Sequence, residues 1–372
     1  MEQLSLFDLI EGGENYKPIR ATDWKWKFAD YPKKKNGIKV FSCFACGGGS
    51  TMGYKLAGCE VVGCCEIDEK MNKLYVENHH PKHNFLMDIR DFNNLPKEEI
   101  PEELFDIDVL DGSPPCTTFS IAGEREESWG KKKKFREGQK EQTLDDLSFV
   151  FIETVAKLRP KVVVMENVEG LLLGNAWSYV QKIYKGFHEA GYDVNHWLLK
   201  GENMGVPQKR HRVFFVAIRK DIGINPRNID LTFNYYPITF GEIKSQNGDA
   251  FSGIYYDLLK NAIDSDKSIA DIRERLGQKP SGFNEQIVRD NEVMPTIRAT
   301  SPVAYRLPEC TKTTISDIIS SQTFPQDYYF GEKATKSVIG YVCGMSVPPI
   351  MIKRVVTRLI EEGVFDYKQN AP

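Results

Sequence analysis

Residues 38–53, IKVFSCFACGGGSTMG, join an apolar segment to a cluster of glycines, and this stretch decides the fold. Ile38–Ser42 has the continuous apolar character of a strand buried on both faces of a parallel sheet. Within Phe44–Gly53 the glycines allow a tight turn and a close approach of the backbone to a ligand, and the next helix presents its amino terminus there. The stretch predicts the first strand–turn–helix unit of an open α/β sheet with a ligand at its carboxyl edge.

The same alternation of strand and helix continues to about residue 220. Asp68–Asn78 and Leu144–Leu158 are predicted helices, and in the second of them apolar residues recur at three- and four-residue spacing. The pattern predicts an α/β fold with a doubly wound, mostly parallel, Rossmann-like sheet that is covered on both faces. The strands predicted after the first are Glu60–Cys65, Phe105–Leu110, Lys161–Met165, Val194–Leu199 and Val213–Ile218.

The character of the chain changes after Asp221, where the sequence becomes polar, irregular and rich in turn residues. We expect an amino-terminal extension over residues 1–37, a first domain over 38–221, a smaller second domain over 222–300, and a return segment over 301–372. Within the return segment, Ile350–Glu362 is amphipathic and is predicted to be a helix that packs back on the first domain.

Composition places the chain among ordinary globular proteins. It has 372 residues and a net charge of -3, so a polyanionic partner would have to be bound by local basic patches. No apolar run is long enough to span a membrane, no signal pattern opens the chain, and the eight cysteines lie mostly in apolar runs, which favours a reducing cytoplasm. Cys43 and Cys46 form a CxxC pair, but no second pair completes a zinc site, so no metal is predicted.

Acidic residues follow the next two predicted strands. Glu66 ends the second strand, where an acid commonly binds the hydroxyl pair of a ribose, and Asp88 stands where a third strand would end. A glycine-rich loop alone is weak evidence, but with these two acids it predicts a nucleoside-bearing cofactor. The absence of a G-x-x-x-x-G-K-[ST] sequence disfavours a nucleoside triphosphate.

A cysteine and a glutamate are the candidates for chemistry. In Asp111–Ser120, DGSPPCTTFS, Pro114 and Pro115 stiffen the turn that presents Cys116 at the carboxyl edge of the sheet. This cysteine is either a nucleophile or a small buried apolar residue. Glu166 comes directly after another predicted strand, at the same edge of the sheet, where it either caps a helix or acts as an acid in catalysis.

A basic segment precedes the last predicted strand. In QKRHR at 208–212, alternation places Gln208, Arg210 and Arg212 on one face. Such charge runs are usually solvated faces, but guanidinium groups directed towards Cys116 and Glu166 would suit an anionic or carbonyl-bearing substrate.

Taken together, these motifs resemble the ordered motif set of the cytosine-5 DNA methyltransferases, over residues 38–220 and 300–362. The resemblance rests on PCTTFS at 115–120, ENV at 166–168, QKRHR at 208–212, SQTFP at 321–325 and GMSVPP at 344–349, together with the glycine loop, Glu66 and Asp88. It implies a Rossmann-like methyltransferase sheet with a small target-recognition domain. The implied activity is transfer of a methyl group from S-adenosylmethionine to carbon 5 of a cytosine in a short double-stranded DNA sequence.

The resemblance also implies roles for the catalytic candidates. Cys116 would attack carbon 6 of a flipped-out cytosine, and Glu166 would bind ring nitrogen 3 and the amino group. Arg212 would hold the carbonyl oxygen, while Arg210 would lie on a phosphate or on the catalytic loop.

For the cofactor site the resemblance implies that Phe44 packs on the adenine and Ile67 flanks it, that Glu66 binds the ribose, and that Asp88 accepts from the adenine amino group. The other implied cofactor-binding residues are Ala45, Gly47, Gly48, Gly49, Ile89, Pro114, Leu147, Ser346 and Val347. This chain departs from the family pattern at Ser42, Cys46, Thr117 and Met345. Cys46 bears most on cofactor affinity, because its Cβ must fit where the family has a glycine.

Contacts with DNA are expected from the loop at Ile121–Thr143 and from the domain at 222–300. The residues predicted to contact nucleic acid are Lys131, Lys132, Lys133, Lys134, Arg136 and Gln208. Gln3–Phe7, QLSLF, resembles the pentapeptide with which bacterial replication and repair proteins bind the sliding clamp, although it could be a hook on the protein's own core. The segment Lys17–Lys39 could follow the DNA backbone or cover the first domain.

The overall interpretation is a monomeric bacterial or phage modification methylase, for which a cognate restriction endonuclease could be a partner. Two alternatives stay open. One is a transfer RNA cytosine-5 methyltransferase of the same fold, and the other is a catalytically silent DNA-binding module, against which intact Cys116, Glu166 and Arg212 argue.

Overall fold

A seven-stranded sheet forms the centre of the first domain. The computed structural model describes residues 18–115, 147–173 and 176–366. The strands of the sheet are β1 (Lys39–Cys43), β2 (Glu60–Glu66), β3 (His83–Leu86), β4 (Val109–Gly112), β5 (Val162–Val168), β6 (Tyr192–Lys200) and β7 (His211–Arg219). Their order is β3-β2-β1-β4-β5-β7-β6, and neighbours are parallel except that β7 runs antiparallel to β5 and β6.

This topology confirms the predicted mostly parallel α/β sheet. The chain leaves β1 towards one edge through β2 and β3, and then returns to place β4 on the other side of β1. The carboxyl ends of β1 and β4 therefore border a crevice at the point where the strand order reverses, which is where open α/β sheets bind ligands.

Helices cover both faces of the sheet. They are α1 (Gly49–Leu56), α2 (Glu69–His79), α3 (Ile89–Asn94), α4 (Leu147–Leu158) and α5 (Trp177–Glu189). Because side chains alternate along a strand, Val40 packs into the cluster that contains Met52 of α1, while Phe41 packs into the cluster that contains Phe92 and Phe151 on the other face. The continuous apolar strands thus supply two cores.

The predicted strand Phe105–Leu110 is wrong in its first half. Glu102–Asp106 forms a 3-10 helix, and β4 begins only at Val109. Asp108 is fully buried, and its carboxylate accepts a hydrogen bond from the backbone N–H of Lys39 at 2.8 Å. This residue therefore joins the beginnings of two neighbouring strands instead of extending one.

Beyond β7 the chain forms a smaller, mostly irregular region, which we call the second region. It contains α6 (Phe240–Ile243), α7 (Ile254–Leu259), α8 (Ile269–Arg275), β8 (Ile287–Arg289), β9 (Tyr305–Leu307) and β10 (Thr311–Lys312). The three strands form a sheet in the order β10-β9-β8. Leu258, Ile269 and Tyr305 belong to a separate small core. The small sheet extends to Lys312 and so includes residues on both sides of position 300.

Three helices end the described chain: α9 (Ile315–Ser321), α10 (Lys336–Met345) and α11 (Pro349–Glu361). Helix α11 confirms the predicted return helix, and it packs so closely on α1 that a Cβ at Gly53 would lie 2.5 Å from Cβ of Ile352. Lys336–Glu361 has the length and apolar composition of a membrane span. However, it is mostly buried in the protein and is divided in two at Ser346–Pro348.

The described part of the amino-terminal extension packs on the return segment and joins a core of the first domain. The indole N–H of Trp26 donates to the carbonyl of Thr323 at 2.8 Å, and Trp26 is buried beside Phe28 and Tyr31. Asp23 pairs with Arg354 of α11 at 2.5 Å. For Lys17–Lys39, these contacts favour packing against the protein over a path along the DNA backbone.

Candidate active site

A cleft open to solvent lies at the carboxyl ends of β1, β2, β3 and β4. The predicted cofactor residues that line it are Phe44, Ala45, Gly49, Glu66, Ile67, Asp88, Ile89, Leu147, Ser346 and Val347. Residues from the beginning, middle and end of the chain therefore meet in one cleft, which we call the cofactor cleft.

Glu66 is the most constrained acid of the cofactor cleft. One carboxylate oxygen accepts a hydrogen bond from the backbone N–H of Cys46 at 2.7 Å, and the other accepts from that of Asp68 at 2.8 Å. Burial raises the pKa of Glu66 above its usual range, while the backbone hydrogen bonds oppose that rise. A carboxylate has about four lone-pair sites, so each oxygen retains capacity for a ribose hydroxyl.

Asp88 occupies the start of α3 at the far side of the cofactor cleft. Its carboxylate caps the helix by accepting from the backbone N–H of Arg90 at 2.9 Å. It also lies 3.3 Å from the guanidinium of the same arginine. Because Asp88 lines the cleft and is only partly buried, its carboxylate can accept a hydrogen bond from a ligand.

The glycines of the loop are required by packing. At Gly48, whose φ is +84°, a Cβ would lie 2.0 Å from Nε2 of His79, and at Gly49 it would lie 2.3 Å from the carbonyl oxygen of Val347. A Cβ at Gly47 would lie 2.6 Å from Cγ1 of Val342. Gly47 and Gly48, as well as Pro114, are not among the residues that line the cofactor cleft; the two glycines let the loop approach α2 and α10.

Cys46 is accommodated in this loop despite the departure from the family pattern. Its backbone has φ 47°, and it lines the cofactor cleft beside Ser346. Burial raises the pKa of the Cys46 thiol to about 12, with a further contribution from the nearby Glu66. The thiol is therefore neutral and serves as a small apolar wall.

Two side chains that the sequence analysis missed hold the glycine loop. The hydroxyl of Tyr328 donates to the carbonyl of Gly47 at 2.8 Å, and Nε2 of His79 lies 3.1 Å from the same oxygen. Burial lowers the pKa of His79 to about 3, so the ring is neutral. No local pattern marks either residue, because both act only through contacts made in the folded chain.

The sequence analysis also missed other residues that line the cofactor cleft. They are Tyr341 and Met345 of α10, together with Ser50, Met71 and Met87. The helical pattern of α10 could be recognised in the sequence, but nothing in it indicates which face meets the sheet edge.

Glu166 and Arg212 lie together at the ends of β5 and β7. Nε of Arg212 is 2.8 Å from Oε1 of Glu166, and both side chains are largely buried. The antiparallel pairing of the two strands causes this contact, because Val168 is the register partner of Arg212. The amide of Asn167 donates to the carbonyl of Pro114 at 3.3 Å, which ties the segment leading to Cys116 to β5. Cys116 itself lies outside the described residues.

Arg210 and Gln208 make their hydrogen bonds elsewhere, and neither residue lines the cofactor cleft or the second cleft described below. The Arg210 guanidinium donates to the carbonyls of Ile297 at 3.3 Å and Gly344 at 3.2 Å, and burial lowers its pKa to about 9. Gln208 is fully buried, and its amide bonds the backbone of Ile297 and the side chain of Gln322. The assignment of Gln208 to a nucleic-acid surface is therefore corrected: it belongs to the joint between the two regions.

A second cleft lies beside Glu166 and Arg212, which we call the catalytic pair because they are the catalytic candidates of the sequence analysis. Lys209, His211 and Arg212 line one wall, and residues 296–300 line the other. A hydrogen bond to Glu202 at 2.8 Å raises the pKa of His211. We call this second cleft the substrate cleft. Met345 lines both the substrate cleft and the cofactor cleft, so the two are neighbours.

The remaining predicted site residues fall outside the described part of the chain. They are Lys131, Lys132, Lys133, Lys134 and Arg136. Within the described ranges, no group of three or more His, Cys, Asp or Glu side chains could hold a metal ion. Cys43 of the CxxC pair is buried in β1, and burial raises the pKa of its thiol far above the usual range.

A sheet of this order, with acids after β2 and β3 facing one cleft, defines a Rossmann-like domain of the nucleoside-binding class. The chain belongs to the C-5 cytosine-specific DNA methylase family, whose model matches residues 38–361. Enzymes of this family use S-adenosylmethionine as the methyl donor.

Curated relatives are similar over different lengths. The type II methyltransferase M.NgoPII of Neisseria gonorrhoeae is 32% identical over 52% of this chain and 51% of its own length. M.FnuDI of Fusobacterium nucleatum is 31% identical over 63% of this chain and 60% of its own length. The chain thus spans about half to three fifths of these relatives. M.HindV of Haemophilus influenzae is 27% identical over 87% of this chain and 96% of its own length.

Solved structures share the fold. One, described as a DNA modification methyltransferase encoded within an E. coli prophage, has a TM-score of 0.62 at 20% identity and covers 87% of this chain and 99% of its own. A Spodoptera frugiperda DNMT2 mutant has a TM-score of 0.60 at 15% identity, with 87% and 100% covered. At these identities the likeness concerns the fold alone.

Proposed function

We propose that this protein transfers a methyl group from S-adenosylmethionine to carbon 5 of a flipped-out cytosine in a short, specific sequence of double-stranded DNA. The observation that carries the proposal is the meeting of two clefts at Met345. One cleft has the acids suited to a nucleoside, and the other has the arginine of the catalytic pair. A group held in the first therefore lies next to a base held in the second.

The residues of the cofactor cleft fit S-adenosylmethionine, which supplies an electrophilic methyl group when bound. Glu66 has spare acceptor capacity for the ribose, and Asp88 has it for the adenine amino group. Phe44 and Ile67 provide apolar surface for the purine, and both line the same cleft. In this proposal Glu66 has a second task, because the same carboxylate fixes the start of the glycine loop.

The proposed reaction begins with Cys116. Its thiolate forms a bond to carbon 6 of the cytosine, which ends the ring's aromaticity and makes carbon 5 nucleophilic. Glu166 accepts from the amino group and gives ring nitrogen 3 a proton as negative charge develops on the ring, and Arg212 holds the carbonyl oxygen. After carbon 5 has gained the methyl group, a base removes its proton and the bond from carbon 6 to sulfur breaks, which releases Cys116.

The pairing of Glu166 with Arg212 supports these roles. Both groups are largely buried and 2.8 Å apart, so each partly offsets the cost of burying the other's charge. A cytosine that presents an acceptor oxygen to the arginine and a ring nitrogen and amino group to the glutamate would satisfy both. The target atom is inaccessible within a duplex, so the base has to leave the stack.

Further aspects of the predicted biology are part of this proposal. We expect a monomer that acts in the cytoplasm, with Lys131–Lys134 and Arg136 on phosphates. A cognate restriction endonuclease would fit the description of the relatives as type II methyltransferases. Binding of the sliding clamp through Gln3–Phe7 is a separate prediction, and that segment lies outside the described residues.

The test is transfer of a labelled methyl group from S-adenosylmethionine to genomic DNA and to total RNA by the wild type and by Cys116→Ser. We expect alkali-stable label in DNA, recovered as 5-methylcytosine, that is lost in the variant. Cys310→Ser, which changes a half-buried cysteine of the second region, is the matched control and should retain activity. Label only in RNA would favour the transfer RNA alternative, and no label with cofactor still bound would leave a silent DNA-binding module.

A further inference from the structure

Arg298 lines the substrate cleft together with Arg212 of the catalytic pair. Its guanidinium lies over the ring of Phe283, with 5.7 Å between the guanidinium carbon and the ring centroid. One of its N–H groups donates to the side-chain oxygen of Asn284. Phe283 is 60% exposed, so this arginine–aromatic pair is at the surface and not in a core.

Arg298 has no acidic partner among the residues that the structure describes. Elsewhere in the second region Lys244 pairs with Asp290 and Glu309 at 2.6 Å. Lys267, Arg275 and Arg306 also have acidic partners. Within the described ranges, neither Arg298 nor Lys209, on the opposite wall, forms an ion pair with a carboxylate. A lysine and an arginine that line one cleft without an ion pair to a described carboxylate suit a polyanion.

The two walls are fixed to each other at the base of the cleft. The backbone N–H of Lys209 donates to the carbonyl of Met294 at 2.8 Å, and the hydroxyl of Thr296 donates to the carbonyl of Lys209. The position of Arg298 relative to Arg212 is therefore set by a short hydrogen-bonded connection. A duplex whose cytosine reaches Arg212 would present the neighbouring base pairs to the Arg298 wall.

We propose that Arg298 recognises a guanine beside the target cytosine in the major groove, while Lys209 contacts a phosphate. The inference rests on the proposed function and identifies one position of the recognition sequence. Arginine has five N–H donors in a rigid fork, and the contact with Asn284 uses only one of them. The remaining donors can bind O6 and N7 of guanine together, which is the commonest specific contact of arginine with DNA.

The supports of Arg298 favour a base over a phosphate. Phosphate contacts tolerate a mobile side chain, whereas a bidentate contact with a base edge needs a fixed orientation of the guanidinium. Phe283 limits the tilt of the guanidinium plane, and Asn284 limits its rotation. Lys209 is exposed and has a single flexible ammonium, which suits a phosphate.

The experiment maps 5-methylcytosine by sequencing after methylation of a random-sequence duplex library with purified full-length protein. Arg298→Lys and Arg298→Ala are expected to relax the requirement for one guanine, with discrimination against the other bases falling about 5- to 150-fold. Asn284→Ala should relax the same position to a smaller extent. Lys209→Ala should slow methylation at all sites alike and make its dependence on salt shallower.

Arg273→Ala is the matched control, because the Arg273 guanidinium lies over the ring of Tyr255 at 6.0 Å but does not line the substrate cleft. It should leave the sequence preference unchanged. An unaltered preference in both Arg298 variants would overturn the inference, and so would a loss of rate that is equal at all sequences. If the wild type methylates a defined sequence, either of those results concerns Arg298 alone; a wild type that methylates no DNA would remove the proposed function and this inference with it.

Discussion

Asp111 is a buried carboxylate for which the described residues provide hydroxyl groups and no ion pair. It lies at the end of β4, accepts from the hydroxyls of Ser42 at 2.8 Å and Tyr54 at 3.3 Å, and is 2% exposed. Burial raises its pKa to about 7, and the charge of Glu166 adds to the rise, whereas the hydrogen bonds oppose it. The folded protein therefore retains a proton that the unfolded chain loses at lower pH.

This proton makes stability depend on pH. Because the folded-state pKa of Asp111 is raised, its contribution is fully present below the pKa of the unfolded chain and is lost as pH rises from about 4 to about 7. Asp111→Asn should remove up to about 4 kcal/mol of this dependence. Urea unfolding from about pH 4 to about pH 8 measures it, with the exposed Asp264→Asn as control. An unchanged slope in Asp111→Asn would contradict the assignment.

Glu66 offers a residue-scale prediction about the cofactor cleft. Its two oxygens accept from the backbone N–H groups of Cys46 and Asp68, so Glu66→Gln would set an amide donor against one of them. We expect S-adenosylmethionine to bind about 10- to 100-fold more weakly, as measured by titration calorimetry. Glu69→Gln, which changes an exposed acid in the first turn of α2, should bind as the wild type does. Equal affinities would show that Glu66 neither shapes nor contacts the cofactor site.

At the scale of elements, the strands that are buried on both faces were predictable from the sequence. A parallel strand buried on both faces is apolar throughout, and such runs gave β1, β2, β5 and the antiparallel β7. The position of Glu66 followed from the end of β2. In contrast, the wall that α10 contributes to the cofactor cleft could not be predicted, because α10 packs on the glycine loop through Val342 and Gly47, which are far apart in the sequence.

The amino-terminal segment is an element that only tertiary contacts stabilise. Its anchor is Trp26, which is buried and donates to the carbonyl of Thr323. Trp26→Ala should lower the free energy of unfolding by about 3–5 kcal/mol, since it removes a large buried side chain and a hydrogen bond. Trp24→Ala, at a half-buried position in the same segment, should cost clearly less. Equal urea midpoints for the two variants would mean that Trp26 does not anchor the segment.

At the scale of the whole molecule, the two regions are joined through buried polar groups. In the sequence, alternation places Gln208 and Arg210 on one face with Arg212, which predicts that they face a substrate. In the folded chain only Arg212 has that environment. The difference arises because Gln208 and Arg210 meet backbone carbonyls and amides from residues 297, 321 and 344, which bring the second region and α10 against the start of β7.

Arg210 could either join the second region to α10 or bind a substrate phosphate, and one substitution distinguishes these two roles. Arg210→Lys keeps the charge but lacks the rigid planar fork whose two separate nitrogens reach the carbonyls of Ile297 and Gly344. We expect cofactor affinity to be unchanged, because Arg210 does not line the cofactor cleft, and methylation of DNA to fall about 10- to 100-fold. Limited proteolysis should cleave the second region faster in the variant. If Arg210 instead bound a substrate phosphate, lysine would largely preserve activity and proteolysis would be unaltered, because a phosphate contact needs a charge and not a particular fork of donors.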